Sequence, residues 1–187
     1  MTWRDILESE HRLLYEVLDA AEKECDHIDT TGCCRIDLVG DMIEFFRYFA
    51  DGLHDPKEEG LLYARLHKRG MTNDDEPLEQ LLGEHEWCRG RLDALQNTAE
   101  AIKSGDPGLA AELSFELREY VEVNRCHLEV EETVFFDLAA HYLTRKDLDE
   151  LTDEFQAVHD DEVEEGVQEF YESLAHRVLE AETEACG

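Results

Sequence analysis

The most constraining feature of this sequence is a histidine-carboxylate motif that occurs twice. Residues 54–59 read His-Asp-Pro-Lys-Glu-Glu, and residues 127–132 read His-Leu-Glu-Val-Glu-Glu. An upstream histidine, His11 or His85, precedes each copy by 43 or 42 residues, so the whole pattern recurs at an offset of 73 to 74. An imidazole and a carboxylate four residues apart lie one above the other on a single α-helix face. The pattern predicts helices whose histidine faces meet inside the molecule.

Helical periodicity of apolar residues extends along almost the whole chain and predicts an all-α fold. Only three prolines occur, and strand-like alternation of any length is absent from the sequence. Thr2 and Asp5 resemble a capping box before the first helix, and Gly166 marks an interruption or bend in the last. The predicted helical segments are about 2–27, 37–68, 77–103, 108–142 and 146–184.

These segments predict an up-down-up-down four-helix bundle over about residues 1–142, with an additional C-terminal helical extension over about 146–184. A chain of 187 residues suits a single domain, which we place at 1–187. No stretch approaches about 18 consecutive apolar residues, and the N-terminal sequence lacks the apolar segment of an export signal. We therefore expect no membrane span and a cytoplasmic protein.

The chain is strongly acidic, with 48 acidic and 17 basic residues and a net charge of -31. A nucleic acid or an anionic membrane surface would repel this charge, so neither is an expected partner. Most of the carboxylates are interpreted as a solvated surface. The sequence does not indicate an oligomeric state.

Counting along the predicted helices places all four histidines at one level of the bundle. From His11 to the end of its helix is 16 residues, and the return from residue 38 to His54 is 16 more. The second hairpin takes 19 residues in each direction between His85 and His127. At about 1.5 Å per residue, both antiparallel hairpins return to their starting height. The four histidines are therefore expected to meet.

The residue types in this predicted cluster are those of a site for two metal ions. Imidazoles and carboxylates without thiolate favour iron or manganese, and zinc is the competing metal. We expect one histidine pair for each ion, with both glutamates bridging. The alternative is that these are ordinary interior residues of a bundle. The predicted ligands are His11 and His54 for one ion, His85 and His127 for the other, and the bridging Glu58 and Glu131.

Two stretches, residues 49–59 and 125–136, resemble the second-helix and fourth-helix signatures of the hemerythrin-like, HHE cation-binding family. The likeness covers about residues 1–142. It implies a non-haem, oxo- or hydroxo-bridged di-iron centre that binds dioxygen, peroxide or nitric oxide. Ferritin-like di-iron proteins are the rival family, but they place a carboxylate first and a histidine three residues later.

The sequence departs from the oxygen-carrying hemerythrins at Arg89, because those proteins have a second histidine four residues after the one that His85 matches. One ion therefore lacks a third histidine. We predict that His159 on the fifth helical segment, with apolar residues on adjoining turns, supplies the missing ligand; the alternative is a core or rim residue. Pro56 is expected to distort the helix between His54 and Glu58. Both departures argue against simple reversible oxygen carriage.

Four further glutamates and one tyrosine stand close to predicted ligands in the sequence. The glutamates point about 100° away from the ligands on an ideal helix, and are interpreted either as solvated or as partners that orient an imidazole. On this basis replacement of Glu59 or Glu132 is expected to have little effect. Tyr15, one turn after His11, is a candidate hydrogen-bond donor to a bound ligand. The four glutamates are Glu10, Glu59, Glu84 and Glu132.

Two classes of function remain open from the sequence. In the preferred class the protein binds metal and a small ligand, and acts in sensing, iron handling or oxidative and nitrosative stress. In the alternative it is a di-iron enzyme of the peroxidase or nitric oxide reductase type, with the metals as Lewis acid and redox centre. A purely structural acidic bundle is a third reading, and it requires stability without metal.

Overall fold

The computed structural model describes residues 1–184, so the last three residues of the predicted domain lie outside the described residues. The described chain is helical throughout apart from its turns, which confirms the predicted all-α bundle. Among the described residues, no helix is both long and apolar enough to cross a membrane.

Six helices account for the described chain, and two of them are continuous rods of mixed α and π geometry. The single-segment helices are α1 (Trp3–Thr31), α3 (Leu78–Lys103), α5 (Arg145–Glu164) and α6 (Val167–Glu184). Helix α2 consists of Ile36–Phe45, the π segment Phe46–His54, Asp55–Lys57, the π segment Glu58–Tyr63 and Ala64–Lys68. Helix α4 follows the short 3₁₀ turn Pro107–Leu109 and consists of Ala110–Val130, the π segment Glu131–Phe135 and Phe136–Tyr142.

Local sequence signals account for where these helices begin and end. Thr2 and Asp5 form the predicted capping box at the start of α1. The end of α1 lies four residues beyond its predicted end, where Gly32 adopts the left-handed conformation at φ 71°. Gly166, at φ 72°, separates α5 from α6 at the predicted interruption. Both glycines supply backbone conformations that other residues rarely adopt.

Three of the predicted ligands, His54, Glu58 and Glu131, lie at the ends of π segments. Pro56 has no amide hydrogen to donate, so one helical hydrogen bond is missing from the short α segment between the two π segments of α2. A π segment has i→i+5 hydrogen bonds and a wider turn than an α-helix, and such segments are frequent at functional sites. Side-chain directions in α2 and α4 therefore depart from the ideal 100° step.

The bundle is a closed square in which each helix contacts two neighbours. Helices α1 and α2 are adjacent, as are α2 and α3, α3 and α4, and α4 and α1. Helix α6 packs on α1 and α2, and α5 packs on α1 and on the second π segment of α2. The C-terminal extension therefore covers the α1–α2 side of the bundle.

Two apolar clusters fill the bundle, one toward each end. The larger includes Val17, Phe46, Leu92 and Leu117. The smaller includes Leu7, Leu66, Leu81 and Phe135. Five of the predicted ligands fall between the residues of these two clusters on their helices, and His127 lies beside Leu128 at the edge of the larger cluster. The polar site is therefore a layer with apolar packing above and below.

Candidate metal centre

The structure brings the six predicted ligands of the paired motif together in this layer. They form two groups that share both glutamates, and within each group one ligand atom per residue lies within 4.8 Å of every other. All six side chains are buried, the most exposed being His127 at 5%. One group is His11, His54, Glu58 and Glu131, and the other is Glu58, His85, His127 and Glu131.

Distances between ligand atoms fit two ions side by side. The Nε2 atoms of His11 and His127 lie 3.4 Å from separate oxygens of Glu131. The Nε2 atoms of His54 and His85 lie 3.8 and 3.6 Å from Oε2 of Glu58. Two ligands of one ion can be up to about 4.2 Å apart when each bond is about 2.1 Å. Each contact can therefore be spanned by a single cation.

Several of these atoms have no hydrogen-bond partner although they are buried. They are Nε2 of His11 and His54, Oε1 of Glu58 and Oε2 of Glu131. Buried polar atoms in folded proteins almost always have a partner, because an unpaired one loses its hydration without compensation. A bound cation supplies that partner for all four atoms, so the residues present fit a metal centre.

A closed ring of four hydrogen bonds orients the histidines. Each pair joins a glutamate on one helix to Nδ1 of a histidine on the next helix around the bundle. The glutamate is itself adjacent in sequence to a predicted ligand of its own helix. The pairs run from α1 to α2, α3, α4 and back to α1. This arrangement directs every Nε2 inward and makes Nδ1 the hydrogen-bonding nitrogen. The pairs are Glu10–His54 and Glu59–His85, both at 2.8 Å, and Glu84–His127 and Glu132–His11, both at 2.9 Å. The geometry thus favours the orienting role over the solvated one.

The metal-free site concentrates charge that a pair of cations would neutralise. Burial raises the pKa of Glu58 well above its ordinary value, and the carboxylate of Glu131 adds to the increase. Burial also acts to raise the pKa of Glu131, but His127 and the other imidazoles outweigh it and hold this pKa far below its ordinary value. Burial lowers the pKa of His127, but Glu131 and Glu84 more than compensate and raise it to about 10.

Tyr63 is a site residue that the sequence did not reveal. Its hydroxyl donates toward Oε1 of Glu131 at 3.2 Å and lies 3.4 Å from Oε2 of Glu58. The side chain is 1% exposed. Tyr63 stands five residues after Glu58, out of register on an ideal α-helix, and the π segment between them brings both to the same face. No signal in the sequence indicated this segment, other than the nearby proline.

The role of Tyr15 as a hydrogen-bond donor to a bound ligand stays a prediction. Burial and the neighbouring Glu132 raise the pKa of Tyr15 to about 12. Within the described part of the chain, no hydrogen bond connects its hydroxyl to a shared carboxylate. Tyr63, and not Tyr15, contacts these carboxylates.

His159 is not brought into either group of ligands. It lines a cavity of about 350 Å³ between α1, α2 and the C-terminal helices, together with Glu10 and Glu162. The physical reason is that the extension packs on the outer face of α1 and α2. The extension contacts the site indirectly, through Glu162 on α5. The buried ammonium of Lys57 lies 3.1 Å from Glu162 and also pairs with Glu10, the hydrogen-bond partner of His54.

Arg89, which stands in place of the third histidine, points to carboxylates at the edge of the site. Its Nη2 donates to Glu59 at 2.8 Å and lies 3.5 Å from Asp55, and its Nε donates to Asp51. The guanidinium therefore donates to Oε1 of Glu59, the same oxygen that pairs with His85.

A cavity of about 20 Å³ adjoins the site. Its lining includes the imidazoles of His54, His85 and His127, and the apolar side chains of Leu92 and Leu128. A volume of this size holds about one water-sized molecule. The space beside the candidate ligands is therefore about that of one water molecule.

Comparison with known protein families agrees with this geometry. The family model described as the hemerythrin HHE cation binding domain matches residues 3–139, and a second match covers residues 76–185. The first match spans more than two thirds of the chain and includes all six residues of the two groups. A search of curated proteins and a search of solved structures found no match.

Proposed function

This chain belongs to the hemerythrin family of HHE cation-binding domains, and on that premise we propose that it holds two iron ions and binds a small ligand beside them. The ligand classes are dioxygen, peroxide and nitric oxide. The observation that carries the proposal is the pair of four-residue groups sharing Glu58 and Glu131. A cation-binding site with two shared carboxylates is suited to two ions rather than one.

The proposed assignment gives His11 and His54 to one ion and His85 and His127 to the other, with both shared glutamates bridging. Iron is preferred to manganese and zinc because the resemblance to the hemerythrin-like family implies a di-iron centre, and imidazole and carboxylate donors suit iron. When bound, iron supplies Lewis acidity and one-electron redox chemistry.

The protein's own residues give this centre its selectivity. The ring of glutamates fixes the imidazoles, the two apolar clusters exclude bulk water, and the cavity of about 20 Å³ admits only a small ligand. The hydroxyl oxygen of Tyr63 lies 3.2 Å from Oε1 of Glu131 and holds that shared carboxylate by a hydrogen bond. These features suit a protein that binds and retains a diatomic molecule or peroxide, in sensing, iron handling or oxidative and nitrosative stress.

A di-iron peroxidase or nitric oxide reductase is the second candidate, and Tyr63 is the observation that favours it. A buried hydroxyl that is hydrogen-bonded to a shared carboxylate supplies a proton donor to the proposed centre, which the reduction of peroxide or nitric oxide requires. The two candidates differ in turnover. A binding protein forms a stable adduct with peroxide or nitric oxide, whereas an enzyme supplied with reductant consumes many equivalents.

Metal analysis tests the proposal. Protein produced in iron-replete cells and purified in air is expected to contain close to two irons per chain and to show near-ultraviolet oxo-to-iron absorption. Elemental analysis that finds one zinc, or no metal, would overturn it. Stopped-flow mixing with peroxide or nitric oxide then separates a lasting adduct from catalytic consumption.

A further inference from the structure

The buried lysine of α2, Lys57, connects the C-terminal extension to the ring of glutamates around the candidate centre. Its ammonium lies 3.2 and 3.1 Å from the two carboxylate oxygens of Glu162 on α5 and pairs with Oε1 of Glu10 on α1. The other oxygen of Glu10, Oε2, lies 2.8 Å from Nδ1 of His54. We propose that Glu162 is a positioning residue for His54, through which the extension sets the affinity for the ion assigned to His11 and His54. This inference rests on the proposed function.

The ammonium of Lys57 requires both carboxylates because it is buried. The residue is 4% exposed, and a buried charge is unfavourable unless it is paired and hydrogen-bonded. Glu10 alone is an incomplete partner, because its second oxygen already pairs with His54. Glu162 supplies the remaining negative charge, and its side chain is mostly buried, at 15% exposed. Without that charge, the ammonium would rely on Glu10 alone and draw its carboxylate away from His54.

The other three glutamates of the ring lack this connection within the described chain. Donors on α3 hold two of them: Arg89 donates to Glu59 and Gln80 donates to Glu84, both at 2.8 Å. No hydrogen bond among the described residues joins the carboxylate of Glu132, the partner of His11, to α5 or α6. The extension therefore reaches the ring at one point, the carboxylate that orients the candidate ligand on α2.

The second copy of the motif has no counterpart of Lys57. Lys57 is the third residue after His54, whereas the third residue after His127 is Val130, which is apolar and cannot pair with a carboxylate. The two halves of the site thus differ in their outer surroundings although their candidate ligands match. The extension is therefore expected to act on the ion assigned to His54 and to leave the ion of His85 and His127 unaffected.

Glu162→Gln tests the inference, because it keeps the shape of the side chain and removes its charge. Glu154→Gln is the matched control: Glu154 also lies on α5 and pairs at 2.7 Å with a buried cation of α2, Arg65, which donates to no ring glutamate within the described chain. Loss of a ligand's own hydrogen-bond partner weakens metal binding by about 10–100-fold, so a more distant change is expected to weaken one ion by about three- to tenfold. Stepwise chelator titration with elemental analysis should show this in Glu162→Gln and no change in the control.

Two further measurements separate positioning from a merely structural role. In the metal-free proteins, nitrogen-15 NMR of the histidine side chains should show a change at Nδ1 of His54 in Glu162→Gln and none at His85. Lys57→Met should weaken the same ion at least as much as Glu162→Gln does. In the Lys57→Met background, Glu162→Gln should have no further effect on metal affinity, because the connection to Glu10 is already absent.

Circular dichroism establishes that each variant is folded before its affinity is compared. Two ions held as tightly in Glu162→Gln as in the wild type would overturn the inference, as would equal weakening of both ions or an unchanged resonance of His54. An effect of Glu162→Gln that persists in full when Lys57 is replaced would overturn it as well. A wild-type protein that binds no pair of ions would instead overturn the proposed function, and the inference with it.

Discussion

Glu10 and His54 are joined by a hydrogen bond of 2.8 Å between Oε2 and Nδ1, although Glu10 is adjacent in sequence to a different candidate ligand, His11, on a different helix. The same relationship occurs at every step around the bundle. Each helix therefore contributes both a candidate ligand and the carboxylate that orients the ligand of its neighbour. The four histidines are coupled through the closed ring, and a change in one glutamate acts on a histidine of another helix.

Replacement of Glu132 is the direct test of this ring. The hydrogen bond to His11 reverses the expectation from the sequence that Glu132 matters little. Glu132→Gln should weaken metal binding by about 10–100-fold, because the imidazole loses the charged acceptor that orients it. Glu129→Gln is the control, since Glu129 is exposed on the same helix. Competition with a chromogenic chelator measures both. Equal affinities in the two variants would show that the ring does not support the ligands.

Glu58→Gln should have opposite effects on the metal-free and metal-loaded protein. Without metal, burial raises the pKa of Glu58, and repulsion from the buried Glu131 adds to the increase. Removing one carboxylate should therefore maintain or raise the melting temperature of the metal-free form. The stabilisation by metal, about 2.7 kcal/mol at a hundredfold excess over Kd, should largely disappear. Thermal unfolding with and without added metal measures both effects. A variant that metal stabilises as much as the wild type would contradict the bridging role.

Tyr63→Phe and Tyr15→Phe compare the tyrosine that contacts Glu131 in the structure with the tyrosine that the sequence predicts as a donor to a bound ligand. Tyr63→Phe removes the donor to Glu131 and should destabilise the metal-free protein by about 1–3 kcal/mol, since a buried acceptor loses its partner. Tyr15→Phe should change stability by much less. Urea unfolding of the metal-free proteins gives both values. The prediction fails if the two substitutions cost the same.

Asp147 should make a pH-dependent contribution to stability where α2 meets α5. The guanidinium of Arg69, at 2.8 Å from each carboxylate oxygen, and the hydroxyl of Thr144 lower the pKa of Asp147. The stabilisation is therefore fully present above the unfolded-state pKa of about 4, and it decreases as the pH falls through the lower folded-state pKa.

Asp147→Asn should accordingly lower the melting temperature at pH 7, and its difference from the wild type should shrink below about pH 4. Asp149→Asn is the control, because among the described residues Asp149 pairs only with the exposed Arg145, at 3.0 Å. Calorimetry from pH 7 to pH 3 follows both. A difference that stays constant with pH would exclude the ion pair as its source.

The helices and the meeting of the six predicted ligands followed from the sequence because both depend on local rules. Apolar periodicity and capping residues set the helix bounds, and a constant rise per residue allows heights to be counted along antiparallel rods. The level shared by His11, His54, His85 and His127 could therefore be predicted without knowing how the helices pack.

Only the tertiary structure decided which neighbours those residues have. The pairing of Glu10 with His54, or of Glu132 with His11, depends on the order of the helices around the bundle, which no local pattern encodes. Tyr63 reaches the site because the π segment that begins at Glu58 alters the direction of side chains on α2. His159 lies outside the ligand groups because the extension packs on the outer face of α1 and α2. Helical period is a local property, whereas the register and packing of one helix against another are set by the whole interior.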